Sequence, residues 1–211
     1  MTATLRFGPI GASARHLCID MQRLFAEATP WTTPWMVKVL PRVVALAEAQ
    51  TAATVFTRFL PPPSPEWAGG AWRRYFRHWS ELTASRLDLD MVDLVPDLAQ
   101  LAPPAMVFDK FVYSPWFDGR LHALFRRQRV DTVVITGAET EVCVAAAVLG
   151  AVDLGYRVIV VSDAVCSSAD STHDAMVDIY HQRFGLQIEV ADTETVLAAW
   201  PLRVTPISAV R

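Results

Sequence analysis

Six short runs of apolar and β-branched residues recur along the chain, separated mostly by longer stretches with helical periodicity. They are HLCI at His16–Ile19, ATVFT at Ala53–Thr57, AMVF at Ala105–Phe108, TVVIT at Thr132–Thr136, RVIVV at Arg157–Val161 and LQIEV at Leu186–Val190, the last being the weakest. A strand with one wet face alternates apolar and polar residues, and these runs do not, so both faces must be covered. Doubly covered strands spaced by helices specify an α/β class, a parallel sheet with helices on both sides. No GxGxxG follows the first run, so a dinucleotide site is not expected.

A chain of 211 residues with 52% hydrophobic content fits a single domain with one large core. A net charge of -3 with scattered Lys and Arg offers no basic stripe for a phosphate backbone, which argues against nucleic acid as a partner. The longest apolar runs fall short of a membrane span, and the opening MTATLRFGPIGASARH lacks the apolar stretch of a secretory signal, so no membrane partner and a cytoplasmic location are expected. Cys18, Cys143 and Cys166 lie far apart without CxxC spacing and read as reduced thiols.

Boundary signals place the helices. Thr33 before Pro34 predicts an N-cap opening a helix to about Gln50, with a kink or an earlier start implied by Pro41. Gly155 closes a helix over Glu141–Leu154, and Asp192 caps a last one through Trp200. Between the second and third strands lies an insertion, Leu60–Pro104, carrying PPPSPEW and the aromatics Trp67, Trp72, Tyr75, Phe76 and Trp79. Its length predicts a functional, partly helical lid.

Ligands of open parallel sheets bind beyond the carboxyl ends of the strands. Asp20 ends the first strand, Lys110 follows the third, and Cys143 sits in the first turn of the helix after the fourth. Thr140 is a plausible N-cap three residues before Cys143, which would bring the sulfur near unpaired backbone amides; that setting, with a lysine nearby, favours thiolate. Asp20 would then move the proton from thiol to leaving amine. Taken singly, each residue reads more readily as packing, turn or solvated charge; it is their shared placement that points to a site.

With those residues in hand the chain resembles the isochorismatase-like cysteine hydrolases. The resemblance rests on LCIDMQRLF around Asp20, VFDKFVYSPW around Lys110 and VVITGAETEVCVAAAVLGAVDLGYRVIVVSDAVCSS around Cys143. It implies a three-layer α/β/α, Rossmann-like fold with a six-stranded parallel sheet. It also implies Asp20 as base, Lys110 as electrostatic partner and Cys143 as nucleophile. A non-proline cis peptide at Ala138–Glu139 is implied as well, aiming the Glu139 and Cys143 backbone N–H groups into an oxyanion hole. The implied activity is hydrolysis of a small-molecule amide or ureide through a thioester, by a homodimer or homotetramer.

Departures from the pattern matter too. Nicotinamidases of this superfamily carry a metal site with histidines after the second strand, where this chain has TRFLPPP, Thr57–Pro63, so no metal and no cofactor are expected. Phe25, Trp31, Phe59, Tyr113 and Trp116 flank the site segments and are candidate substrate-binding residues for a planar or apolar acyl group, along with Trp35 and Trp67. Arg58 could meet a substrate carboxylate, though pairing with a surface acid is commoner. His173 could line the cleft but fits a helix surface better, and His16, His122 and His181 look structural or exposed. Cys18 and Cys166 read as packing residues. A vinyl-ether hydrolase using the aspartate without the thiol, and a non-catalytic binding protein, stand as alternatives.

Overall fold

A computed structural model describes residues 4–200. Six strands form one sheet in the order β3-β2-β1-β4-β5-β6: β1 is Ala14–Ile19, β2 Thr54–Phe59, β3 Met106–Lys110, β4 Thr132–Ala138, β5 Arg157–Cys166 and β6 Ile188–Ala191. Every pairing between neighbours is parallel. The α-helices are α1 (Arg23–Ala26), α2 (Met36–Ala49), α3 (Gly70–His78), α4 (Pro96–Ala99), α5 (Arg120–Arg127), α6 (Ala145–Asp153), α7 (Asp170–Gln182) and α8 (Thr193–Ala199). Among the described residues no helix is long and apolar enough to cross a membrane.

The lack of alternation in the strands has a direct structural counterpart. Successive side chains point to opposite faces, so each strand divides its residues between two apolar cores. Cys18, Phe56, Val134, Ile159 and Val161 pack on one face with Val43, Leu46 and Ala47 of α2. Leu17, Ile19, Val55, Val133, Ile135, Val158 and Val160 pack on the other with Phe125 of α5, Val148 of α6 and Tyr180 of α7. This is the three-layer α/β/α arrangement that covered strands demand.

Several boundaries depart from expectation. The helix opens at Met36, not Pro34, because Thr33 does not cap it: Thr33 gives its carbonyl to the Met36 N–H in a turn (3.0 Å), and its hydroxyl is buried without a partner. Pro41 stays within α2 on an exposed face, beyond exposed Val37, whose carbonyl can turn to water in place of the missing N–H. The weakest strand starts at Ile188, and Leu186 is exposed. The insertion 60–104 is short 3-10 turns plus α3 and α4; Gln22 binds it to the sheet by donating to Val92 O (2.8 Å) and Phe59 O (3.1 Å) while accepting from the Phe59 N–H (2.7 Å).

Candidate active site

The strand order reverses direction between β1 and β4, and there the carboxyl-end loops diverge to leave a crevice. Asp20 stands immediately after β1 with φ +48°, a left-handed conformation that Asp tolerates better than most residues. Its carboxylate is fully buried. Thr57 of β2 fixes it twice, donating its hydroxyl to Asp20 Oδ1 (2.6 Å) and accepting the Asp20 N–H (3.1 Å).

Lys110 ends β3 and is 3% exposed. An ammonium has three protons to place, and Nζ has three partners: Asp20 Oδ2 at 2.7 Å, Val112 O at 3.1 Å and Cys143 Sγ at 3.5 Å. Burial alone would lower its pKa, but its neighbours, the Asp20 carboxylate first among them, outweigh burial and raise it, so Lys110 is held as a cation. Asp20 Oδ2 meets no hydrogen-bond donor in good alignment despite its closeness to Nζ, which leaves it with room to accept a proton.

Cys143 is reached through a glycine, the cis peptide that the resemblance implied and a π turn that the sequence did not display. Gly137, near the end of β4, has φ +110°, and a Cβ there would lie 2.0 Å from Ile19 O, so only glycine lets β4 press against β1 at that level. The next peptide, Ala138–Glu139, is cis. A single π turn, Thr140–Val144, follows and leads into α6. The Glu139 carbonyl accepts from the Val142 and Val144 N–H groups (both 3.0 Å), on either side of Cys143. Thr140 does not cap this turn. Glu139 holds the cap position, without a side-chain bond, and the Thr140 hydroxyl instead meets His173 Nδ1 at 2.8 Å. His173 thus lies on α7 and braces the turn.

The surroundings of the sulfur work against the expected thiolate. Cys143 is 7% exposed, and burial pushes its thiol pKa up; Lys110 pulls it down, Asp20 pushes it up again, and the net shift is upward.

Cys143 opens on a cavity of about 370 Å³ whose walls are mainly aromatic: Phe25, Trp31, Phe59, Tyr75, Trp79 and Tyr113. Trp31 is its hub, stacked on Phe25 at 6.0 Å between ring centres and within 6.4 Å of Tyr75 and Trp79. Glu139 and Ser168 line it from the sheet side, with the Ser168 N–H donating to the Glu139 carboxylate (3.0 Å). Four of the five candidate substrate-binding residues, Phe25, Trp31, Phe59 and Tyr113, therefore border the chamber, and Trp116 does not. Trp116 is buried in the second core, stacked on Tyr156 and donating its indole N–H to Ala147 O (2.8 Å), so its role is packing. Trp35 and Trp67 are exposed and do not border the chamber.

Thr57 was missed, and Tyr75 and Trp79 were read as aromatics of the lid without being counted among the substrate-binding candidates. The two aromatics are four apart on and just after α3, a spacing that puts them on one side of a helix and could have marked them. Arg58 pairs with Asp109 (2.8 Å) and Asp93 (3.0 Å) as expected. Cys18 and Cys166 are buried and free, His16 is buried between Thr54 and Thr136, and His122 holds Tyr156. Among the described residues no group of three or more His, Cys, Asp or Glu is placed to hold a metal ion.

The chain is similar to known proteins in sequence and in fold. The Isochorismatase domain pattern matches residues 15–192. Maleamate amidohydrolase of Pseudomonas putida is 30% identical over 186 residues, covering 83% of this chain and 82% of that one. Among solved structures, a cysteine hydrolase from Pseudomonas syringae pv. phaseolicola superposes with a TM-score of 0.77 at 22% identity, covering 94% and 98% of the two chains. N-carbamoylsarcosine amidase from Thermoplasma acidophilum gives 0.68 at 21%, covering 86% and 96%. A pattern that takes in most of the chain, on a fold shared with these enzymes, means that the chain belongs to the isochorismatase-like hydrolase family.

Proposed function

We propose that the protein hydrolyses a C–N amide or ureide bond of a small molecule through a thioester on Cys143. One observation carries this: Lys110 Nζ touches both the Asp20 carboxylate and the Cys143 sulfur, and Cys143 lines a chamber of ligand size. Similarity to maleamate amidohydrolase and to an N-carbamoylsarcosine amidase supports the choice of bond.

The raised thiol pKa sets the order of events. Because burial holds Cys143 protonated, the nucleophile forms only as Asp20 takes its proton, and Lys110, held charged, stabilises the sulfur anion as it develops. Sulfur bonds to the carbonyl carbon and the carbonyl π pair moves onto oxygen. The backbone N–H groups of Glu139 and Cys143 receive that oxyanion at the mouth of the π turn. The C–N bond then breaks as Asp20 returns the proton to nitrogen, releasing ammonia or an amine. A water attacks the thioester, giving one proton to Asp20; the C–S bond breaks, the acid leaves and Asp20 reprotonates the sulfur. Every step uses the chain's own groups.

The test is ammonia release over a panel of primary amides and ureides, with mass spectrometry of quenched enzyme. A mass adduct on Cys143 and at least a ~10³-fold loss in Cys143→Ala are expected. Undiminished turnover in folded Cys143→Ala refutes the thioester and points to chemistry on Asp20 alone.

A further inference from the structure

The charge inside the chamber is more specific than its shape. Among the described residues no Lys, Arg or His lines it. Lys110, which touches the Cys143 sulfur, is buried and committed to Asp20, Cys143 and Val112 O, so with Asp20 it contributes little net charge. Glu139 remains. It lines the chamber beside Ser168, whose N–H donates to its carboxylate at 3.0 Å, so the one charged side chain in the lining is an anion. Most of the remaining wall is aromatic side chains grouped about Trp31.

Aromatic faces carry negative charge and attract ammonium groups, most strongly where water is excluded. A carboxylate at the rim of such a cage adds Coulomb attraction for the same sign. An anion entering here would instead lose its hydration without gaining a cation. From this juxtaposition, and resting on the amide-hydrolase reading above, we infer that the chamber selects amides whose acyl group carries a cationic ammonium, with Glu139 as the specificity-determining side chain, and rejects amides that carry a carboxylate. The substrate class thereby differs from the anion named for the Pseudomonas putida relative.

Binding tests this without depending on the chemistry. Cys143→Ala protein is titrated calorimetrically with 2-(trimethylammonio)acetamide, with its uncharged carbon isostere 3,3-dimethylbutanamide, and with maleamate. The cation binds about tenfold or more tightly than the isostere, and maleamate binds weakest. Adding Glu139→Gln lowers the cation's affinity about fivefold or more and leaves the isostere within about twofold, which a purely structural role of Glu139 would not do. Equal affinities for cation and isostere, tighter binding of maleamate, an equal loss for both ligands in Glu139→Gln, or no binding of any probe each overturn the inference. If the cation binds as described but the wild-type enzyme leaves it intact, the selectivity stands and it is the hydrolase reading that fails.

Discussion

Replacing Thr57 by Val keeps the shape of the β2 side chain and removes one oxygen, which here serves Asp20 twice. The lost hydroxyl donates to Asp20 Oδ1 at 2.6 Å in a fully buried setting, and a hydrogen bond to a charged acceptor contributes ~1.5–3 kcal/mol. The Asp20 N–H also loses its acceptor at 3.1 Å, and an unsatisfied buried donor costs ~1–3 kcal/mol. Both effects pass through the same oxygen and overlap, so ~2–4 kcal/mol is the working total. For a chain of 211 residues each kcal/mol moves Tm by about 2–4 °C, giving a fall of roughly 5–15 °C. Activity falls further than stability. A carboxylate freed to rotate no longer faces the sulfur, and misplacement of about 1 Å costs on the order of 100-fold in rate. Thermal unfolding and kcat/KM would be measured on Thr57→Val beside Thr57→Ser, which keeps the oxygen and both bonds. A Val variant that matches wild type in Tm and rate, or a Ser variant as damaged as Val, shows that Asp20 is positioned by something other than Thr57.

Lys110→Met leaves Asp20 as an unpaired buried charge, so it should lose ~3–5 kcal/mol, and adding Asp20→Asn should restore most of that in denaturant melts; a double variant no more stable than the single one contradicts the pairing. Burial holds His16 neutral, with its pKa lowered to about 3 from 6.5. Between those values the unfolded chain takes up a proton that the folded chain refuses, so stability falls as pH drops from about 6.5 towards 3, by ~1.4 kcal/mol per pH unit from this group. Denaturant midpoints of His16→Gln should decline less steeply over that interval, and parallel curves would argue against a buried neutral imidazole. A Cβ on Gly150 would lie 2.4 Å from Trp116 Cδ1, so Gly150→Ala should cost ~1–3 kcal/mol by overpacking while KM stays within about twofold of wild type; a large KM change at unaltered stability would return Trp116 to the substrate wall.

How far the site was legible in the sequence follows from which interactions are local. Strand-end logic put Asp20, Lys110 and Cys143 at one edge of the sheet, where Lys110 meets the other two, because each lies at or just beyond a run whose termination shows in composition. Thr57 was hidden because its role depends on register: β1 and β2 pair Cys18 with Phe56, which brings Thr57 level with the end of β1, and nothing in TVFT reveals that offset. Tyr113 and Trp116 are three apart in one YSPW segment, yet the chain turns between them, so one faces the chamber and the other the core. The π turn was invisible for a similar reason. Thr140 carries the usual mark of a cap, but its hydroxyl is claimed by His173 from another element.

The error about the thiol is the most informative of these differences. A helix start and a neighbouring lysine argue for thiolate, and both are present; what the sequence could not weigh against them was burial beside a carboxylate that also pushes the proton back. Had the sulfur been ionised in advance, Lys110 would already be neutralised by two anions and its charge would offer little further stabilisation when substrate arrived. In the proposed mechanism, with the proton retained, the transfer to Asp20 would coincide with carbon–sulfur bond formation, so the ammonium, the carboxylate and the backbone donors would all act on the transition state more than on the resting enzyme. An unoccupied site is thereby also less reactive towards oxidants and stray electrophiles, because the form they attack is the anion.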